Sequence, residues 1–479
     1  MIASFLVFLL GFTLIGVSSY LLSRGTKHDY YLASASVKPW LVGLSAVATN
    51  NSGYMFIGVI GYTYVAGFSA FWLMFGWILG DFLASLYVHR RLREATEHTG
   101  EVSYAGVLSH WAGQPGGALQ RLIGLISLVF LLTYASAQLV AGSKALHVLF
   151  DWPLWAGAVM GAVIVVLYCL AGGIRASIWT DAAQSMVMIV AMSVLLVVAT
   201  MSLGGIDGAW TEMRAIDGFT HWFPDDAAIP GATGAVLFAV GWLFAGLSVI
   251  GQPHVMVRFM TLDDHHRMKA ARGWYYVWFT LFYAAATGVG LLSRVYLADT
   301  VNFDAELALP TMAMELLPPV LVGLVLAGVF AATMSTADSL VLSCSATITH
   351  DLSPRPIERT ALLKASTLLI TAVALGFALL NNQSVFSLVI MAWSGLASAF
   401  GPLLLVLCMG LRPGRALSIA AIIVGFLVAL GWRLAQWHEA VYEGMPGILA
   451  GLAVLLIGEG VIRMVRRDHD TPTSGARNG

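Results

Sequence analysis

The sequence predicts an all-α polytopic membrane protein, and three observations favour this fold class. Apolar residues make up 58% of the 479 residues and charged residues only 11%, with a mean hydropathy of +0.81. A soluble domain carries about a quarter charged residues. Thirteen apolar segments are long enough for the roughly 20-residue helix that crosses a bilayer. Two of them are interrupted near the middle by polar residues, glycine or proline, which indicates broken helices.

The predicted spans fill almost the whole chain. They lie near residues 2–23, 40–64, 66–88, 120–148, 154–171, 183–203, 233–256, 274–297, 317–349, 360–381, 385–409, 414–434 and 444–464. Residues 1–467 are therefore predicted to form one transmembrane domain, and the polar residues 468–479 a disordered cytoplasmic tail. The sequence has no glycine-rich phosphate-binding loop and no His or Cys cluster at membrane depth. It favours neither ATP hydrolysis nor a membrane enzyme.

The distribution of charge predicts the orientation. An odd number of spans places the two termini on opposite sides of the membrane. Of the 25 Lys and Arg residues, 21 lie in or beside the odd-numbered connections and the C-terminal tail. The exceptions are Lys144, Arg214, Arg294 and Arg433. The positive-inside rule then predicts an outside N-terminus and a cytoplasmic C-terminus. A formal net charge of -1 predicts no nucleic-acid partner. The lipid bilayer is an expected partner, and no obligatory protein partner is evident.

The first interruption is the polar run at residues 48–53, about ten residues into the second span. At about 1.5 Å per residue, this run lies near the midplane of the membrane. Polar residues at that depth are costly unless they face a cavity. A locally unwound turn there would present free carbonyls to a cation and free N–H groups to a carboxylate. The alternative is that the asparagines and the serine only join neighbouring helices by hydrogen bonds.

The second interruption lies in the seventh span, at residues 240–259. It contains Gly241, Gly246, Gly251 and Pro253, and the proline removes a helical hydrogen bond. A proline kink alone is common in membrane helices, but this one lies five spans after the first break. Residues 40–203 and 233–409 are therefore predicted to be two inverted repeats of five spans, with extra helices at 2–23, 414–434 and 444–464. Matching breaks in two repeats are typical of a transporter's binding site.

The ninth span carries a stripe of hydroxyl groups. Ser335, Ser339 and Ser343 recur every four residues and share one helical face, and Thr336 and Asp338 flank them. Hydroxyl and carbonyl oxygens suit an alkali cation better than zinc or copper. The alternative is that these side chains bond back to their own helix, although an acid inside a span is a functional candidate by default.

Three further acids lie in apolar surroundings. Asp181 is predicted to open the sixth span, where it is either a charge favoured by the helix dipole or a relay for a cation that leaves toward the cytoplasm. Asp81 and Glu459 have no partner that the sequence can identify.

Four segments of the chain resemble the sodium:solute symporter family. They are residues 177–184 (SIWTDAAQ), 251–266 (GQPHVMVRFMTLDDHH), 334–352 (MSTADSLVLSCSATITHDL) and 392–402 (AWSGLASAFGP), and the likeness extends over nearly the whole chain. The resemblance implies thirteen spans with an outside N-terminus, a leucine-transporter-like 5+5 inverted repeat, and residence in the bacterial cytoplasmic (inner) membrane. It also implies symport of a small organic solute with Na+.

The resemblance also implies where the ligands bind. A sodium site between the second and ninth spans would use the carbonyls of Ala48, Asn51 and Ala332 and the hydroxyls of Ser335 and Thr336. A possible second sodium site nearer the cytoplasm would use Asp181, Asp338 and Ser339. The solute would lie between the broken helices and the fourth span, near Asn50, Ser52, Gly53, Tyr54, Thr133, Tyr134, Gln138, Trp242, Ala245, Val249 and Gln252.

This chain departs from the proline-transporting members at three of these positions. Those members have an aspartate where this chain has Asn50, and a tryptophan and a tyrosine where it has Ala245 and Val249. The pocket is therefore expected to be wider, or to be filled from elsewhere, for example by Trp242. An amino acid such as proline is the expected solute, and a sugar or a small carboxylate is the alternative. A membrane sensor of a small solute is the rival function, which the lack of a soluble domain in the sequence disfavours.

Overall fold

A computed structural model describes residues 1–225, 228–298, 302–380 and 384–470, with no side chains described for 465–470. The described residues form helices joined by loops, with no strand among them and one isolated bridge between Val37 and Leu262. The first helices are α1 (Ile2–Ser18), α2 (Lys27–Leu32), α3 (Pro39–Asn50), α4 (Ile60–Ala66), α5 (Ala70–Thr99), α6 (Tyr104–Trp111), α7 (Ala118–Phe150), α8 (Leu154–Gly172), α9 (Ile174–Ser202) and α10 (Ile206–Ala215). The remaining helices are α11 (Gly231–Leu247), α12 (Pro253–Met260), α13 (Met268–Tyr296), α14 (Ala308–Leu316), α15 (Pro319–Ala346), α16 (Thr360–Leu380), α17 (Val385–Cys408), α18 (Arg415–Leu434) and α19 (Gly444–Asp470).

Twelve helical stretches among the described residues are long and apolar enough to cross a membrane. One of them, Tyr54–Thr99, has 46 residues, which is about 69 Å of helix and roughly twice the thickness of a hydrocarbon core. Gly67 divides this stretch with a φ of +58°, in the left-handed region that favours glycine. The part before Gly67 continues the interrupted second span, which begins with α3. The helices therefore provide thirteen crossings.

Several predicted boundaries differ from the structure. The sixth span was predicted from residue 183, but α9 begins at Ile174; Asp181 therefore lies in the second turn and does not open the helix. The prediction was wrong because the polar side chains at the start of α9 are buried against other helices and not in water. Similarly, α5 extends past residue 88 to Thr99. Helix α19 continues through Asp470, into the segment predicted to be disordered, and residues 471–479 lie outside the described residues.

Burial separates a central group of helices from a peripheral one. We compared the most apolar 18-residue stretch of each span. In it, 83% of the residues are buried in the span that contains α15 and 89% in α17, but only 22% in the span that contains α1 and 28% in α18. Helix α3 packs on α9, α13 and α15, and the turn after α11 packs on α17. The two central helices therefore lie against the two interrupted spans, while the outer helices present apolar side chains to lipid.

Candidate functional site

The break in the second span is present in the structure. Helix α3 ends at Asn50, and Asn51 has φ -88° and ψ 67°, which is not helical. A π-helical turn, Tyr54–Val59, then leads into α4. The backbone N–H of Gly53 donates to Gln138 Oε1 at 2.9 Å. A Cβ at this glycine would lie 2.5 Å from the Thr333 side chain, so the close approach of the broken helix to its neighbours requires glycine.

The break in the seventh span is also present. Helix α11 ends at Leu247, a 3-10 turn covers Ser248–Gly251, and α12 starts at Pro253. Between them Gln252 is extended, with φ -97° and ψ 100°. Its Nε2 donates to Ser248 O at 3.1 Å and to Trp393 O at 2.9 Å, and therefore holds the break against α17. The prediction of two broken helices is confirmed.

Backbone and hydroxyl oxygens converge where α3 meets α15, and we name this group the oxygen cluster (Ala48, Thr49, Ala332, Ser335 and Thr336). Ser335 Oγ lies 3.1 Å from Ala48 O and 3.1 Å from Ala332 O. Thr336 Oγ1 donates to Thr49 O at 2.9 Å. The serine and threonine side chains are fully buried, and all the oxygens are neutral, hard donors of the kind that suit Na+.

Four of the five residues predicted for the sodium site belong to the oxygen cluster. The fifth, Asn51, was predicted to bind through its backbone carbonyl; it is buried beside the cluster, and its side-chain amide donates to Val47 O at 2.9 Å. Thr49 was not predicted as a ligand and belongs to the cluster through its carbonyl. These residues fit an alkali cation because hydroxyl oxygens can turn their lone pairs from a hydrogen bond toward a metal.

A ring of aromatic side chains surrounds the two breaks, and we name it the aromatic ring (Tyr54, Trp77, Trp393, His254 and Tyr134). Successive centroids lie 5.6 Å apart for Tyr54 and Trp77, and 5.4 Å apart for Trp77 and Trp393. The distances are 6.2 Å from Trp393 to His254 and 5.4 Å from His254 to Tyr134. All five side chains are buried. They offer apolar faces at the level where the backbone is unwound.

Several polar atoms beside the aromatic ring lack a hydrogen-bond partner among the described residues. They are Tyr54 Oη, Gln138 Nε2, Gln252 Oε1 and both ring nitrogens of His254. Buried polar groups in folded proteins are almost always hydrogen-bonded, and exceptions need an explanation. Donors and acceptors left free at two helix breaks are what a polar solute would satisfy on binding.

The other residues predicted for the solute site lie in different environments. Ser52 is central: its hydroxyl accepts from Tyr134 Oη at 3.0 Å and from Tyr54 N at 3.1 Å. Thr133 is half-buried and donates to Val129 O at 3.0 Å in its own helix. Trp242 contacts Tyr62 at 5.8 Å between centroids and lines a separate cleft of about 280 Å³. Thus the structure does not bring Thr133 and Trp242 to the aromatic ring.

The space near Ala245 and Val249 is filled from another helix. Both residues are fully buried, and the Trp393 indole N–H donates to Ala245 O at 3.0 Å. The large aromatic side chain at this place is therefore Trp393 from α17, and not Trp242. Trp77 from α5 lies beside it.

A second buried polar group, which we name the arginine cluster, contains Arg258, Asp181, Asp338, Ser177 and Ser339. Arg258 Nη2 lies 3.4 Å from Asp181 Oδ2 and 3.6 Å from Asp338 Oδ1, and all three side chains are fully buried. The same nitrogen donates to the hydroxyls of Ser177 and Ser339. The structure thus brings together the three residues predicted for a second sodium site, but the cation between the two carboxylates is Arg258.

Asn50 is directed toward a third group. Its Nδ2 donates to Asp81 Oδ2 at 3.1 Å and to the Tyr275 hydroxyl. Tyr275 and Tyr276 also donate to the same carboxylate, each at 2.6 Å. Asp81 is fully buried. Asn50 therefore connects the end of α3 to a buried acid on α5.

Side chains close the site on the side predicted to face outside. Phe386 stacks on Tyr54 at 5.3 Å and on Tyr62 at 5.1 Å between ring centroids. Glu306 accepts a hydrogen bond from Phe386 N at 2.9 Å and forms an ion pair with Lys144, whose Nζ lies 2.7 Å from Glu306 Oε2. These contacts hold the aromatic cover over Tyr54 from two sides.

An ionic network lies at the opposite, predicted cytoplasmic side. Lys27 Nζ donates to Glu358 Oε1 at 3.0 Å, and His350 Nε2 lies 2.5 Å from Glu101 Oε2. Burial raises the pKa of the Glu101 carboxyl, but hydrogen bonds shared with His350 and His110 outweigh that effect and hold the pKa below its usual value. The network joins the segment after α5 to the end of the ninth span.

The sequence missed Trp77, Trp393, His254 and Arg258 as site residues. The two tryptophans lie in apolar runs, where nothing distinguishes them from core residues. His254 and Arg258 follow Pro253 closely, at the end of the seventh span that is predicted to face the cytoplasm. The signal that could have identified them is the proline itself, because a break at that position brings the following turn into the protein interior.

Comparisons with known proteins agree with this geometry. Residues 30–425 match the model of the sodium:solute symporter family. The sodium/proline symporter of Escherichia coli (strain K12) is 31% identical over 473 residues, which cover 94% of this chain and 91% of that protein. The high-affinity proline transporter PutP of Bacillus subtilis (strain 168) is 30% identical over 434 residues, with 88% and 90% covered.

Two solved structures show the fold. A Na+-coupled sialic acid symporter is 18% identical with a TM-score of 0.79, and the match covers 96% of this chain and 97% of that one. Mhp1, a nucleobase-cation-symport-1 family transporter, is 14% identical with a TM-score of 0.60, covering 92% and 95%. Both have the leucine-transporter fold, which confirms the fold class predicted from the sequence.

Proposed function

Because this chain belongs to the sodium:solute symporter family, we propose that it carries a small neutral amino acid across the membrane together with Na+, with L-proline as the first candidate. The chain is a multi-pass, sodium-coupled symporter and not an enzyme. The identity of the solute is the proposal. We also propose that the N-terminus lies outside a bacterial cytoplasmic membrane and that residues 1–467 act as one domain without an obligatory protein partner.

The observation that carries the proposal is the set of unpartnered polar atoms beside an uncharged aromatic ring. Gln138 Nε2 and Tyr54 Oη are donors suited to a carboxylate, and Gln252 Oε1 is an acceptor suited to an ammonium group. Among the described residues, no acidic or basic side chain forms an ion pair with the ring, Gln138 or Gln252. A solute with no net charge is therefore favoured, since a single buried ion without a counter-ion is costly. The apolar ring of proline would pack on the faces of Trp77 and Trp393.

Sodium would bind at the oxygen cluster. The carbonyl of Ala48 belongs to the last turn of α3, three residues before Asn51, where the helix breaks and positions Ser52 and Gly53. Occupancy by a cation would join α3 to α15 and fix the neighbouring turn on which the solute lies. The coupling is reciprocal, so that solute must tighten sodium binding by the same factor.

The purified protein in proteoliposomes tests this function. Uptake of labelled L-proline should be saturable and driven by an inward sodium gradient, and a potassium gradient should not replace it. Unlabelled amino acids, small carboxylates and sugars added in excess identify the solute class by competition. No sodium-driven uptake of proline, together with competition only by sugars or carboxylates, would contradict the proposed solute.

A pair of variants tests the site. Gln138→Ala removes one free donor, and the half-saturating proline concentration should rise about tenfold, as expected for a lost buried hydrogen bond of roughly 1–3 kcal/mol. Thr133→Ala is the matched control on the same helix, because its hydroxyl bonds to Val129 O, and it should leave that concentration unchanged. Equal effects of the two variants would place the solute elsewhere.

A further inference from the structure

Asp81 is a buried acid that the solute site and the oxygen cluster do not use. Its side chain is fully buried in the middle of α5. Helix α11 lies so close that a Cβ at Gly246 would be 2.9 Å from Asp81 N and 2.3 Å from Trp77 O. The full burial of the side chain keeps bulk water away from the carboxylate. A carboxylate in such a place is expensive unless a positive charge compensates it.

The partners of Asp81 are all neutral. Oδ2 accepts from Tyr275 Oη at 2.6 Å and from Asn50 Nδ2 at 3.1 Å, and Oδ1 accepts from Tyr276 Oη at 2.6 Å. Among the described residues, none of the Lys, Arg or His side chains has a nitrogen within 4.0 Å of either oxygen. Three donors favour the charged form and burial disfavours it, so the carboxylate has hydrogen-bond partners but no fixed counter-ion.

The position of Asn50 connects this charge to the sodium site. Asn50 is the last residue of α3, two residues after Ala48 and one after Thr49, whose carbonyls belong to the oxygen cluster. The oxygen cluster itself has no charged group. A cation bound there would lie within a few ångströms of the turn that Asp81 holds, in a region of low dielectric where Coulomb attraction is weakly screened.

We propose that Asp81 supplies the buried negative charge that raises the affinity of the oxygen cluster for sodium, and that it acts through its hydrogen bond to Asn50 as a positioning residue. The inference rests on the proposed sodium-coupled function. Sodium entry would compensate a carboxylate that is otherwise uncompensated, and the carboxylate would hold the end of α3 in the geometry that presents its carbonyls.

A charge-transfer experiment tests the proposal. Asp81→Asn removes the charge and preserves the shape, and Asn50→Asp combined with Asp81→Asn returns one carboxylate to the same hydrogen-bonded pair. The measurement is the sodium concentration that gives half-maximal uptake in proteoliposomes, at saturating solute. Asp81→Asn should raise it about tenfold or more, and the double variant should restore it to within about threefold of the wild type.

Tyr276→Phe is the matched control, since it removes one donor to Asp81 and leaves the charge. It should shift the half-maximal sodium concentration by less than about threefold. The amount of monodisperse protein and its melting temperature are measured for every variant. A purely structural role would lower both without changing sodium dependence, and a carboxylate at position 50 would not rescue it.

Three results would overturn the inference. The first is a folded Asp81→Asn variant with wild-type sodium dependence. The second is a folded double variant that remains as defective as Asp81→Asn. The third is an Asp81→Asn variant that keeps its sodium dependence but loses a dependence on external pH, which would make Asp81 a proton site. Failure of the proposed function is distinct, because the wild type itself would then show no sodium-driven uptake.

Discussion

The oxygen cluster and the arginine cluster are adjacent, buried and rich in hydroxyl groups, but they differ in charge. The arginine cluster contains two carboxylates and its own cation, Arg258, within 3.6 Å of both. The oxygen cluster contains only neutral oxygens. The two clusters meet where Thr49 Oγ1 lies 3.2 Å from Ser339 Oγ. One polar site therefore has a permanent positive charge, and the other can accept a mobile one.

This difference indicates different roles. When one member of a buried ion pair is removed, the folded protein is strongly destabilised, because the remaining charge has neither a counter-ion nor water around it. A neutral group of oxygens loses little stability when one hydroxyl is removed, but it loses a ligand for a cation. We infer that the arginine cluster keeps the inner half of the bundle together and that the oxygen cluster binds sodium. On this account a second sodium ion at Asp181, Asp338 and Ser339 is not needed.

The largest effect is expected for Arg258→Met. Two carboxylates would remain buried without a cation, at a cost of about 3–5 kcal/mol. The variant should give little monodisperse protein, with a markedly lower melting temperature in detergent. Replacing Asp181 and Asp338 by Asn in the same chain should restore part of the loss, since removal of the whole ion group is far less costly. A well-folded Arg258→Met variant with the wild-type melting temperature would break the comparison.

An intermediate effect is expected for Ser45→Ala. Ser45 Oγ donates to Asp181 Oδ2 at 2.6 Å, and a hydrogen bond to a charged group contributes about 1.5–3 kcal/mol. The free energy of unfolding should fall by that order, as measured by thermal or denaturant unfolding. Half-maximal sodium for uptake should stay at the wild-type value, because Arg258 already compensates the two carboxylates. A raised sodium requirement in this variant would indicate that the cluster binds the ion after all.

The smallest effect on stability is expected for Ser335→Ala and Thr336→Ala. Each loses one hydrogen bond to a neutral carbonyl, worth about 1 kcal/mol. Each also loses an oxygen ligand, and half-maximal sodium should rise about tenfold, equivalent to about 1.4 kcal/mol. Sodium titrations of uptake measure this, with Ser45→Ala as the matched Ser-to-Ala control. Equal sodium titrations for Ser335→Ala and Ser45→Ala would remove the distinction between the clusters.

Sequence reasoning predicted the breaks correctly because their cause is local. Asn51 and Gly53 adopt or permit a non-helical backbone, and Pro253 removes a helical hydrogen bond, so composition alone indicates where the helices unwind. The hydroxyl stripe of Ser335, Ser339 and Ser343 was also predictable from its four-residue spacing, whereas Ser335 and Thr336 were identified as sodium ligands by the family resemblance. The structure places Ser335 Oγ and Thr336 Oγ1 against carbonyls of α3, and their role in binding sodium stays a prediction.

The partners across the bundle were not predictable, since they depend on tertiary packing. Trp393 and Trp77 belong to apolar runs whose inward faces are set only when α17 and α5 pack on the breaks. Arg258 resembled one more cytoplasmic positive charge, and nothing in its neighbourhood along the chain reveals Asp181 or Asp338. The partner of Asp81 could not be identified from the sequence for the same reason, because Asn50 lies 31 positions before it.

Direct sodium binding to the purified protein tests the central claim that the neutral oxygens at the first break hold the ion. Labelled sodium would be titrated into wild type, Ser335→Ala and Ser45→Ala in detergent, with potassium as the competing control. The account predicts a saturable wild-type isotherm, an affinity about tenfold lower for Ser335→Ala, and a wild-type isotherm for Ser45→Ala. Wild-type sodium affinity in a folded Ser335→Ala protein would contradict it.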